Sequence, residues 1–270
     1  MLYLLRLPVS PRASALYPLP RSIAQRRTLS SKPLPPTLVT ATAPAHQCYI
    51  FLHASEPPTE FPARKSTPIQ RALQLRASRW GGVVNFSWST DTEAKSDESR
   101  IQGTAYTVAG GRLNLTNIAL ENIDEVERQI LEHISTAPDR SVHQEQGLDF
   151  YVCTHGERDC RCLEHGKPVV EALQAEIARR RLKETLPPIN VYECGHVGQH
   201  AFAANVLLYP HGEWFGLLRP EHVPEFLQET LSVPSRPRTA EDPPLFPEHW
   251  RGRMGLSRDE QLTLYQSQAA

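Results

Sequence analysis

Residues 148–153 read LDFYVC, six positions carrying Leu, Phe, Tyr and Val and ending on a cysteine. A short apolar run of this kind reads as a buried strand. Working outward, CTHGERDCRC (153–162) adds two more cysteines, and KPVVEALQAEIARRRLKE (167–184) reads as a helix. INVYEC (189–194) is a second strand, and NVLLYPHGEWFGLLR (205–219) is a hairpin turning at His211-Gly212. EHVPEFLQETL (221–231) closes the unit as a helix, so the order is β-α-β-β-β-α.

The preceding hundred residues repeat that order. QCYIFLH (47–53) is a strand, and Thr67-Pro68 opens a helix with a capping threonine and a proline at its first position. Gly81-Gly82 stops it, VVNFSWS (83–89) is a strand, and TAYTVAGGRLNLTNI (104–118) is a hairpin turning at Gly110-Gly111. Ile123, Val126, Ile130 and Ile134 then form one helical face. Gly111 and Gly212 lie 101 apart, an offset that sets Leu52 against Cys153. The expected fold is therefore α/β (α+β), a duplicated module whose second copy alone carries clustered cysteines and histidines. The expected boundaries are 1–45 for a leader with a disordered N-terminus and 46–138 for the first module. The second module follows at 147–232, then a Pro-rich linker and C-terminal docking helix at 233–270. Ser257 and Glu260 match a capping box in that last helix, with Trp250 and Met254 expected to dock it.

Charge is unevenly placed. The chain has 29 basic and 30 acidic residues, yet no Asp or Glu precedes Glu56, while Arg6, Arg12, Arg21, Arg26, Arg27 and Lys32 do. An Arg- and Ser-rich, acid-free start is the composition of a mitochondrial transit peptide, with QRRTLSS (25–31) as a processing site. Loss of residues 1–29 removes five arginines and leaves 24 basic against 30 acidic residues, net −6. That balance argues against nucleic-acid binding. No apolar run reaches the ~18–20 residues of a membrane span, and a soluble protein of the mitochondrial matrix is the expectation.

The chemistry lies in the five cysteines, Cys48, Cys153, Cys160, Cys162 and Cys194, and in GHVGQH (195–200). An odd count with three thiols in ten residues, and no secretory signal, points to ligation or redox work rather than disulfides. If the two strands share a sheet edge, the 153–162 and 195–200 loops converge and offer thiolates and imidazoles to one site. Such donors suit Zn, Cu(I) or an iron–sulfur cluster. Gly195 and Gly198 would let the backbone approach a bulky inorganic core. The residues allow two ligand sets. One uses the Cys-x-His pairs Cys153/His155 and Cys194/His196 in a Rieske-like manner. The other uses Cys153 and Cys162 with His196 and His200.

CTHGERDCRC, GHVGQHAFAANVLLYPHGEWFGLLRPEHV and WRGRMGLSRDEQ resemble the sucrase/ferredoxin-like family, in particular its fungal mitochondrial-inheritance members, from about Cys48 to the tail. The resemblance implies a thioredoxin-like ferredoxin domain. It also implies a [2Fe–2S] cluster held by Cys153, Cys162, His196 and His200. Two positions depart from the family pattern: Gln199 stands where a second glycine is common, and Leu163 follows Cys162 where glycine is usual.

Two thiolates and two neutral imidazoles around a +2 core give zero net charge. The reduction potential should therefore exceed that of a four-thiolate ferredoxin. The sequence thus reads as an electron-transfer or redox-sensing protein rather than a classical enzyme. Its partners would be an unidentified redox protein and the mitochondrial import and iron–sulfur assembly machineries. Two other readings stay open: a thioredoxin-type thiol oxidoreductase using Cys160, Cys162 or Cys194, and a structural zinc domain for interaction.

Overall fold

The computed structural model describes residues 39–90, 99–135 and 147–267. The transit-peptide expectation for residues 1–38 lies outside them. In the first half, β1 (Cys48–His53), α1 (Pro68–Ala77), β2 (Gly82–Trp88), β3 (Ile101–Thr107), β4 (Gly111–Ile118) and α2 (Ile123–Ser135) follow the expected order. The second half repeats it with β5 (Leu148–Cys153), α3 (Cys160–Arg181), β6 (Ile189–Cys194), β7 (Val206–Tyr209), β8 (Glu213–Phe215) and α4 (Val223–Leu231). A short β9 (Trp250–Arg253) and α5 (Arg258–Ser267) complete the described chain.

The nine strands form one sheet in the order β4-β3-β1-β2-β6-β5-β7-β8-β9. Within each unit the first two strands run parallel and the hairpin strands antiparallel, which is the thioredoxin-like arrangement. The units meet where β2 and β6 pair antiparallel through Ser87↔Cys194 and Trp88↔Glu193. The order is therefore palindromic about that seam, before β9 is added.

Strand alternation sorts the core. Cys48, Ile50 and Leu52 of β1 enter the core of the first unit, packed under α1 and α2. Leu148, Phe150 and Val152 of β5 enter that of the second, under α3 and α4. The odd positions, Tyr49 and Phe51 with Tyr151 and Cys153, share a third layer that joins the units. There Phe51 stacks on Tyr151 at 3.7 Å and Tyr106 on Tyr209 at 4.2 Å. Tyr106 also donates its hydroxyl hydrogen to buried Asp149 across the units, at 2.5 Å. Leu52 and Cys153 thus face different layers, contrary to the offset of 101. Both strands are six residues long, and an offset of 100 puts His53 in the place of Cys153. A shift of one residue reverses every side chain of a strand, so the parity decides the alignment.

Caps match the sequence where their chemistry is local. Thr67 Oγ1 accepts from the Gln70 amide at 3.1 Å, with Pro68 in the first turn, a cap of about 1 kcal/mol. Ser257 and Glu260 form the reciprocal box. Three expectations need correction. Helix α3 begins at Cys160 rather than 167, because Asp159 caps it through the Arg161 amide and Pro168 lies inside it. Residues 39–45 are no loose leader: the amides of Thr42 and Ala43 donate to Arg251 O, and Val39 and Ala43 are buried. The 233–247 stretch is likewise tied down, with Arg238, Leu245 and Phe246 buried and Arg238 paired to Glu213 at 3.0 Å. Trp250 and Met254 are buried as expected, but on and beside β9.

Candidate metal centre

Parallel pairing of β5 with β6 puts Cys153 opposite Cys194, so the segments that follow leave the same edge of the sheet. The chain after Cys153 turns through Thr154–Asp159 into α3, and the chain after Cys194 enters Gly195–Gln199. Cys153 and Cys162 are fully buried, and the donor atoms of Cys153, Cys162 and His196 all lie within 4.8 Å of one another. Cys162 Sγ is 3.4 Å from His196 Nδ1. His200 is outside that group of three. It opens the turn His200–Phe202, with its ring centroid 5.7 Å from that of His196 and its side chain 45% exposed.

The close approach of α3 to β5 depends on Gly166, where a Cβ would run into the carbonyl oxygen of Cys153. Gly195 has a different role from the one expected: a Cβ there would strike Asn85 Oδ1. Asn85 Nδ2 donates to Gly195 O at 3.0 Å, and the Gly195 amide donates to Phe86 O at 2.9 Å. The first unit therefore supports the histidine loop directly. Gly198 and Gln199 take left-handed backbone, φ 84° and 56°, so Gln199, one of the two departures from the pattern that the resemblance implies, occupies a conformation that favours glycine. Leu163, the other departure, lies against Gly156 of the preceding turn, which has no side chain to obstruct it.

Neighbouring groups set the roles of the ligand candidates. Cys162 donates to Cys153, and together with His196 and the Val197 amide it pulls the Cys153 thiol well below its ordinary pKa. Cys162 is pushed up by the Cys153 thiolate and by burial. One thiolate thus forms readily, while the second needs the positive charge of a metal. Asp159 caps α3, pairs with Arg161 at 2.9 Å, and reaches His200 Nδ1 at 3.5 Å. A carboxylate at Nδ1 leaves the Nε2 of His200 as the free donor.

His155 is buried with both nitrogens used: Nε2 faces Pro62 O at 3.0 Å and Nδ1 accepts the His196 amide at 3.4 Å. Cys194 is buried on the adjacent strand and outside the donor group, its thiol pushed up by burial. The Cys-x-His pairing of Cys153/His155 with Cys194/His196 is therefore not brought together. Cys160 is exposed on the first turn of α3, whereas Cys162 points inward.

Three supports had no signal in the sequence. Buried Glu193 accepts from Thr154 Oγ1 at 2.7 Å and from Lys167 at 2.6 Å. Asn205 O accepts the Cys153 amide at 3.0 Å, and Arg251 donates to Asn205 Oδ1 at 2.7 Å. A cleft of about 360 Å³, lined by Phe61, Arg64, Lys65, His155, Arg158 and His196 among others, opens beside the site.

The pattern of the family described as sucrase/ferredoxin-like matches residues 39–252. The chain belongs to that family. It is 32% identical over 94 residues to "Altered inheritance of mitochondria protein 32" of Debaryomyces hansenii, covering 33% of each protein. It is 28% identical over 161 residues to "Actin patches distal protein 1" of Saccharomyces cerevisiae, covering 56% of this chain and 46% of that one. The chain thus spans a third to under half of these family relatives. Among solved structures, a thioredoxin-like [2Fe-2S] ferredoxin from Aquifex aeolicus aligns at 22% identity with a TM-score of 0.27, covering 32% of this chain and 80% of that one. Among the described residues, no helix is long and apolar enough to cross a membrane.

Proposed function

We propose that this protein holds a [2Fe–2S] cluster through Cys153, Cys162, His196 and His200 and serves in electron transfer or redox sensing in the mitochondrion. The observation that carries the reading is the convergence of two buried thiols and an imidazole within 4.8 Å, with a second imidazole on the same loop. Two soft thiolates with two imidazoles fit such a cluster. When bound, the cluster supplies a one-electron couple. The chain's part is to shield the thiolates, which are fully buried, while leaving the histidine side open to solvent. His196 borders the cleft with Arg64, Lys65 and Arg158, so an acidic redox partner would approach there. The mitochondrial assignment, with import and iron–sulfur assembly machineries as partners, is supported by the acid-free leader composition and by the name of the Debaryomyces hansenii relative. The first unit, 46–138, acts as a scaffold for the ligand loops of the second, 147–232.

The test is anaerobic purification followed by a visible spectrum and iron, sulfide and zinc analysis. About two irons and two sulfides per chain with a red-brown spectrum is the expected result. One zinc in a colourless protein would reject the cluster in favour of a structural zinc site. A metal-free protein after reconstitution under reducing conditions would leave thiol chemistry at Cys153 and Cys162.

A further inference from the structure

Arg251 is fully buried, yet among the described residues none of its hydrogen-bond partners is a carboxylate. Nε donates to Thr42 Oγ1 at 3.0 Å, Nη2 to Thr42 O at 3.1 Å and Nη1 to Asn205 Oδ1 at 2.7 Å. Its guanidinium carbon lies 5.4 Å from the Phe202 ring centroid and 5.5 Å from that of Trp214. Its neighbour on β9, Arg253, is handled in the usual way: it meets Glu213 at 2.6 Å, with Arg238 on the same carboxylate. A buried cation held only by neutral acceptors is costly. Burial lowers the pKa of Arg251 to about 10, so it stays charged at neutral pH, and the negative charge that opposes this lowering is the Cys153 thiolate.

The same side chain is wired to both ligand segments. Asn205, which accepts from Arg251, receives the Cys153 amide on its backbone oxygen at 3.0 Å and donates from Nδ2 to Gln199 O at 3.3 Å. One cation brought in by the C-terminal strand therefore sits behind Cys153 and behind the loop between the two histidines.

We infer that Arg251 is the fixed counter-charge of the metal centre, setting its reduction potential upward and, through Asn205, holding Cys153 and the histidine loop in register. The inference rests on the [2Fe–2S] reading. An electron from an external reductant takes the two-thiolate, two-imidazole site from neutral to −1, and an adjacent buried cation in a medium of low dielectric favours the more negative state. Arg251 is a positioning residue; it donates no ligand.

The experiment uses the full chain reconstituted with iron and sulfide as wild type, R251M and R251K, with potentials from dithionite titrations in the presence of mediators. R251M is expected to assemble the cluster and lose at least tenfold in its reduction equilibrium, a fall of 59 mV or more for one electron. R251K keeps the charge without the paired hydrogen bonds and is expected to stay within about threefold of wild type. A loaded R251M at the wild-type potential overturns the inference. Should R251M fail to load, a loaded R251K near the wild-type potential still supports a charge role. If R251K fails to load as well, Arg251 is a structural hydrogen-bonding residue only, and the inference is overturned. A wild-type protein that takes up no iron or sulfide defeats the cluster reading itself, before any variant is compared, and the inference falls with it.

Discussion

His155 of the second unit and Pro62 of the first are joined by a 3.0 Å contact from imidazole Nε2 to carbonyl oxygen. A carbonyl only accepts, so Nε2 carries the hydrogen and Nδ1 is the lone-pair nitrogen that receives the His196 amide at 3.4 Å. The imidazole is thus a spacer that passes the position of one unit to the ligand loop of the other. His155→Ala should still bind metal, since no ligand is removed, but should lose it roughly tenfold faster to a chelator, as outlying partners of metal ligands commonly show. The measurement is the decay of visible absorbance with excess chelator. An unchanged rate would remove His155 from the site.

Ligand identity is tested one donor at a time. Cys153→Ala and Cys162→Ala should abolish cluster loading. His196→Cys and His200→Cys should load with shifted visible and paramagnetic spectra, because thiolate replaces imidazole on the iron. Cys160→Ala should be spectrally silent, since that thiol is exposed on α3 and outside the donor group. A silent His200→Cys would leave three ligands and reopen the identity of the fourth.

Gly166 makes a prediction about packing. A Cβ at this position would meet the Cys153 carbonyl oxygen, a backbone atom that cannot rotate away. Gly166→Ala should push α3 off the end of β5 and carry Cys162 away from Cys153. An overpacking cost of roughly 2 to 3 kcal/mol follows, or a fall in Tm of about 5–10 °C for a chain of this size. Metal content should drop with it, although no ligand is touched. Calorimetry and metal analysis of the same sample check both parts, and a variant with wild-type Tm would show that α3 can shift freely.

Much of this was legible because the signals are local. The short apolar runs CYIFLH and LDFYVC, the Thr67 cap, and the glycines at the hairpins each constrain a few neighbouring residues, and both β-α-β-β-β-α units follow from them. Of the four residues named by resemblance, Cys153, Cys162 and His196 converge, and His200 lies beside them. What was missed came from misleading local signals in two places and from a distant partner in a third. The start of α3 at Cys160 was hidden because Lys167-Pro168 looks like a helix opening; Asp159 caps the helix one turn and more before it. The offset of 101, read from glycines in two turns, put Leu52 where parity demands His53. Residues 39–45 looked loose from their prolines and small side chains, yet their amides reach Arg251 about 210 positions away. Nothing local announces such a contact.

Three histidines, His46 and His211 buried and His53 half-buried, fix the acid limit of stability. Burial holds His46 and His53 down to about 4, with the Pro44 carbonyl resisting in the first case and Arg112 adding to it in the second. His211 falls to about 3, by burial and then by repulsion from Arg238, Arg236 and Arg253, and neither of its ring nitrogens has a hydrogen-bond partner among the described residues. The ordinary histidine value is 6.5. Between 6.5 and these depressed values the unfolded chain binds protons that the folded chain refuses. Stability is therefore full above 6.5 and declines as pH falls, levelling only near 4 to 3. At pH 5 each histidine contributes a loss of about 2 kcal/mol relative to pH 7. Urea midpoints at pH 7 and pH 5 should show a large drop for the wild type. His211→Leu, compared in the same buffers, should show a drop smaller by about 2 kcal/mol. Equal drops in the two proteins would mean that His211 takes up its proton inside the fold, and the arginines around it would then have to be further from the ring than they stand.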